Sequence, residues 1–119
     1  DTTTPMIDKK FEGDFKCGKG PILTYGPAVH NKLLDLIIDT AEEKKIPFQR
    51  DAASRATGTD TDAFAYSNGG VPSALISFPL RYMHTTVEMV DLDDMENAAK
   101  LIYETLLKLT PDFNFKYLD

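Results

Sequence analysis

The chain has 119 residues, 42% hydrophobic, 10% aromatic and 27% charged, values of an ordinary folded domain, so a disordered chain is excluded and one domain over 1–119 is expected. A net charge of −6 and a pI near 4.8 exclude nucleic acid and anionic membrane as main partners, because both are bound through clustered Lys and Arg. The single cysteine, Cys17, allows neither an intrachain disulfide nor a Cys-based zinc cluster and fits a reducing compartment.

Residues 1–15 are polar and broken by Pro5 and Gly13, which predicts an irregular arm. Gly18-Lys19-Gly20-Pro21 forms a turn before Ile22-Leu23-Thr24-Tyr25, expected as an edge strand. Asn31 is the expected N-cap of a helix in which Leu33, Leu34, Ile37, Ile38 and Ala41 recur at helical spacing, and which Pro47 stops. A short strand over Phe48–Asp51 follows, then a Ser, Thr, Gly and Asp-rich loop over 52–62. Ala63–Tyr66 is expected as a one- or two-turn helix, capped by Thr61 or Asp60 and ended by Gly69-Gly70.

Val71–Pro79 contains the continuous apolar run Ala74-Leu75-Ile76-Ser77-Phe78, which predicts a strand covered on both faces and paired on both edges. A loop over Arg81–Thr86 and an extended piece over Val87–Val90 come next. The last helix has Leu92, Met95, Ala98, Ala99, Ile102, Leu106 and Leu109 as its apolar stripe, Asp91 as cap, acidic residues in the first turns and Pro111 as stop. This order predicts an α/β fold with helices packed on a mixed β-sheet. So few strands make a thin sheet, and with no initiating Met the chain is expected to be part of a longer protein.

Two segments carry groups suited to chemistry. In Gly58-Thr59-Asp60-Thr61-Asp62 the polar side chains either cap the following helix, or Asp60 or Asp62 faces a cleft as a metal ligand or partner of an amine. His84, just past the Val71–Pro79 strand, lies where ligands collect in open α/β sheets. It is either a solvated loop histidine or a metal ligand with Glu88 orienting its ring. His30 and Cys17 have no local partner for chemistry and are read as structural. No phosphate-binding glycine loop or Gly-x-Ser-x-Gly elbow is present.

Taken together, Gly58-Thr59-Asp60-Thr61-Asp62-Ala63, Gly70-Val71-Pro72-Ser73-Ala74, Leu80-Arg81-Tyr82-Met83-His84-Thr85 and Val87-Glu88-x-Val90-Asp91 resemble the C-terminal part of the tetrahedral metallo-aminopeptidases. That family also carries the labels glutamyl aminopeptidase, deblocking aminopeptidase and endoglucanase M. The resemblance covers nearly the whole chain and implies the C-terminal portion of a zinc-peptidase-like catalytic domain. It implies that His84 is the last protein ligand of a pair of divalent metals, zinc or cobalt, and that Gly58, Thr59, Asp60, Arg81 and Tyr82 lie along the substrate cleft.

The remaining ligands and the general-base glutamate have no match here, one acidic ligand falling just upstream of Asp1. The implied activity is removal of N-terminal residues from peptides by a cytoplasmic homododecamer. Thr61-Asp62 falls at a variable position of the pattern, and Cys17 stands where an aliphatic residue is frequent. Alternatives are a related metallocarboxypeptidase or deacylase, a glycosidase, or a chain without catalytic function of its own. The glycosidase would need paired carboxylates flanking an aromatic-lined cleft, and the sequence has no Trp.

Overall fold

A computed structural model describes residues 4–118, so Asp1 lies outside the described residues. The elements in order are α1 (Lys9–Glu12), β1 (Ile22–Tyr25), α2 (Asn31–Glu43), β2 (Gln49–Ala52), α3 (Thr61–Phe64), a 3-10 turn at Ser67–Gly69, β3 (Ile76–Ser77), β4 (Leu80–Arg81), β5 (Met89–Val90) and α4 (Leu92–Lys108). The arm is thus not wholly irregular: Asp8 caps α1 by accepting from the Lys10 amide at 3.0 Å.

The main sheet is mixed, in the order β2-β1-β3. β1 and β2 run parallel with α2 as the crossover, and β3 pairs antiparallel with β1. Two expectations are therefore exchanged. Ile22–Tyr25 is the central strand, and the Val71–Pro79 run contributes only Ile76–Ser77, at the edge. Pro72 and Pro79 bracket that run and lack the amide hydrogen a ladder needs. Phe78 is correspondingly 38% exposed.

Strand alternation divides the sheet into two faces. Leu23 and Ile76, opposite each other in the β1–β3 register, join Val29, Leu34, Ile37, Ile38, Ala41, Ile46 and Leu101 in the core beneath α2 and α4. Ile22, Thr24, Asp51 and Ser77 occupy the other face. That second face carries the candidate site.

α4 forms where expected, with Asp91 accepting from the Asp93 amide at 2.9 Å. Its buried face, however, is Asp94, Ala98, Leu101 and Thr105. This arc lies about 100° around the helix from the middle of the expected stripe, one residue step at 3.6 residues per turn. Leu92 and Leu106, two members of that stripe, are 75% and 60% exposed. The stripe instead borders an apolar groove formed with Leu33, Ile37, Ala74 and Ile76.

Asp94 is the reason for the rotation. Its side chain is fully buried and accepts from the amides of Gly18 and Gly20, both at 2.7 Å. Both glycines have positive φ, +79° and +93°, and a Cβ on Gly20 would collide with the backbone of Pro47. The Gly-Lys-Gly-Pro turn is therefore folded around a carboxylate supplied by α4.

Asn31 is the first residue of α2 and not its cap. The N-cap is His30, whose side chain makes no capping bond. The chain after α4 supplies the missing acceptor: Tyr117 Oη accepts from the Asn31 amide at 2.8 Å. The Tyr117 ring stacks on His30 with centroids 4.6 Å apart, while Phe115 meets His30 edge-on at 5.7 Å. His30 is structural, as its sequence context suggests. Cys17 is partly buried, its Sγ 3.7 Å from the Pro79 carbonyl oxygen.

Candidate functional site

A cleft of about 380 Å³ opens on the sheet face away from α2 and α4. Its floor is Ile22, Thr24, Asp51, Leu75 and Ser77; Gly58 and Thr59 form one rim and Met83 and His84 another. The two segments singled out in the sequence thus meet in one concavity, although 24 positions separate Asp60 from His84. Asp60, Arg81 and Tyr82 are not among its lining residues.

The Gly58 rim is held by Asp62. Its Oδ1 accepts from the amide and hydroxyl of Thr57 at 3.0 and 2.9 Å, and its Oδ2 from the Gly58 amide at 2.9 Å. The Thr57 and Thr59 hydroxyls are 2.7 Å apart. Of the two expected caps of α3, Thr61 is its first helical residue, and Asp60 stands at the N-cap in helical conformation and makes no capping bond. The acceptor is needed by the loop before the helix and not by its first turn, which is why Asp62 and not Asp60 is committed.

The backbone hydrogen bond from Thr57 is the largest influence on the Asp62 carboxyl and, with the Thr57 hydroxyl and the Gly58 amide, holds it below its usual 3.8 although desolvation, the second-largest influence, opposes them. A depressed folded-state pKa means that these bonds stabilise the loop above the unfolded value and are lost as pH falls through the folded one. Amide exchange at Thr57 and Gly58 is therefore expected to accelerate, relative to the core, only once the pH drops below about 3.8. Acceleration already complete at pH 5 would contradict this role for Asp62.

The His84 rim is a hairpin in which β4 and β5 pair antiparallel, Leu80 opposite Val90 and Arg81 opposite Met89. Between them Tyr82 and His84 both adopt positive φ, 57° and 63°. Such conformations cost of order 1–3 kcal/mol for residues other than glycine and gather at functional sites. Three bonds hold them: the His84 amide to Glu88 Oε1 at 2.6 Å, the Thr85 hydroxyl to the Tyr82 carbonyl at 2.6 Å, and the Tyr82 amide to the Thr4 hydroxyl at 3.0 Å. Glu88 thus bonds the backbone of His84, where the sequence suggested the ring. With the main chain turned by the left-handed residue, the carboxylate meets the amide first.

Arg81 is half-buried, its guanidinium 5.3 Å from the centre of the Tyr82 ring and its terminal nitrogen donating to Tyr82 Oη at 3.3 Å. The pair braces the hairpin. Among the described residues no group of three His, Cys, Asp or Glu side chains comes together to hold a metal ion. His84 is exposed on the cleft rim, as an end ligand would be, but the donors present do not make a complete metal centre.

Residues 1–101 match the family model described as M42 glutamyl aminopeptidase. The chain belongs to the M42 family. A lysyl aminopeptidase of Pyrococcus furiosus is 38% identical over 94 residues, 79% of this chain and 27% of the relative. Aminopeptidase APDkam598 of Desulfurococcus kamchatkensis superposes with a TM-score of 0.81 at 32% identity, covering 94% of this chain and 33% of that one. A further solved structure, PhTET1-12s, described as a dodecamer in its asymmetric unit, gives a TM-score of 0.63 at 31% identity over 80% of this chain and 28% of its own.

The chain spans about a third of the length of the proteins it matches. The expected α/β fold and the aminopeptidase resemblance are both borne out, and the glycosidase alternative is not favoured. Sequence reasoning missed Asp51 and Asp94. Their signals were a strand register and a turn 74 to 76 residues away, neither of which a local pattern carries.

Proposed function

We propose that this chain is the C-terminal part of a metal-dependent aminopeptidase that releases N-terminal residues from peptides. The M42 match over residues 1–101 carries the reading, and the meeting of His84 with Gly58 and Thr59 in one cleft supports it. His84 would be one protein ligand of a pair of divalent metals, zinc or cobalt. Such metals, when bound, polarise the scissile carbonyl and acidify a bound water.

Gly58 and Thr59 would line the peptide path with Asp60 beside them, while Arg81 and Tyr82 hold the hairpin that presents His84. The other ligands and the base would come from the rest of the protein. No helix among the described residues is long and apolar enough to cross a membrane. A cytoplasmic homo-oligomer, a dodecamer as in the PhTET1-12s neighbour, completes the proposal.

The test compares the full-length protein with the 119-residue chain on aminoacyl anilides in the presence of zinc or cobalt. The full-length protein is expected to turn over free-amine substrates and leave N-acetylated ones intact, and the chain alone is expected to be inactive. Cleavage from the carboxyl terminus would instead favour the metallocarboxypeptidase reading.

A further inference from the structure

We propose that Asp51 makes this cleft selective for peptides whose first residue carries a positively charged side chain; the inference rests on the aminopeptidase reading. The parallel register sets Asp51 opposite Thr24 and Arg50 opposite Leu23. Alternation then sends Arg50 to the helix side, where it pairs with Glu42 at 3.3 Å, and Asp51 to the cleft. Asp51 and Phe15 also line a second hollow, which Lys10 and Arg50 border. Among the described residues no Lys or Arg lines the cleft itself, and the other charged lining residue is Glu12.

Asp51 is half-buried. Its Oδ1 accepts from the Ala52 amide at 2.7 Å, and among the described residues its second oxygen has no hydrogen-bond partner. Phe15, Leu75, Phe78 and Met83 supply apolar wall around it. A lysine or arginine side chain suits both parts, the methylene stem against the wall and the cation on the carboxylate. A neutral side chain leaves a partly desolvated anion without a partner, and an acidic one meets like charge. The order expected is therefore basic over neutral over acidic.

Norleucine isolates the charge, since it has the lysine stem without the ammonium. On the full-length enzyme loaded with zinc or cobalt, kcat/KM for lysyl anilide is expected to exceed that for norleucyl anilide by about tenfold, the scale of one charge-assisted bond. Glutamyl anilide is expected to be poorest. Asp51→Asn keeps an acceptor for the Ala52 amide and should collapse the lysyl-to-norleucyl ratio toward one.

A wild-type ratio at or below one, or a preference for the glutamyl substrate, overturns the proposal even if the variant fails to fold. So does an unchanged ratio in a folded Asp51→Asn enzyme. Failure of the wild type to cleave any aminoacyl anilide removes the aminopeptidase reading itself, a result distinguishable from norleucyl cleavage without lysyl preference.

Discussion

His84→Ala in the full-length protein is expected to lower aminopeptidase kcat/KM by more than roughly a hundredfold and to release bound metal. Losing even the outer hydrogen-bond partner of a metal ligand costs ten to a hundredfold, so losing the ligand costs more. Stability should hardly move. His84 is exposed on the hairpin, and its hydrogen bond to Glu88 uses the backbone amide that alanine keeps, so the change in unfolding free energy is expected within about 0.5 kcal/mol. Turnover and metal content equal to wild type would refute a ligand role.

The largest effect on stability is expected at Asp94, far from the chemistry. Asp94→Ala removes two charge-assisted hydrogen bonds and leaves the Gly18 and Gly20 amides without acceptors. At roughly 1.5–3 kcal/mol for each bond, the loss is at least about 3 kcal/mol, a large part of a domain's usual stability. Asp91→Ala, which deletes only the cap of α4, should cost about 1 kcal/mol. Denaturant midpoints of the chain and exchange of the Gly18 and Gly20 amides give the comparison; an Asp91 variant less stable than the Asp94 variant would contradict it.

Periodic features were legible in the sequence and pairings were not. The spacing of Leu34, Ile37, Ile38 and Ala41 located α2 because its apolar arc is the arc that is buried. In α4 the same reasoning found the helix and missed its face. Asp94 looked like a first-turn acid serving the helix dipole, when it is the most enclosed carboxylate among the described residues. The run at 74–78 predicts a central strand because apolar continuity is the same for a strand paired twice and for an edge strand lying over a core. At the site, the composition of the Gly58 and His84 segments pointed to both rims. Nothing local revealed that Asp51 forms the floor between them, because that depends on the β1–β2 register.

The long-range bonds also set an order of events for a chain made from its amino end. The Gly18 turn closes on Asp94 across 76 residues, and the first amide of α2 finds its acceptor in Tyr117 across 86. Neither can form while α4 and the segment after it are still inside the ribosome. Contacts this distant in sequence slow folding, since their loop entropy is spent before they contribute. The β1-α2-β2 unit emerges before these partners, with the first turn of α2 uncapped and the turn ahead of β1 unlatched. The Gly18 turn and the first turn of α2 thus wait for residues much later in the chain, so termination before Asp94 would leave both unfinished and termination before Tyr117 would leave α2 uncapped.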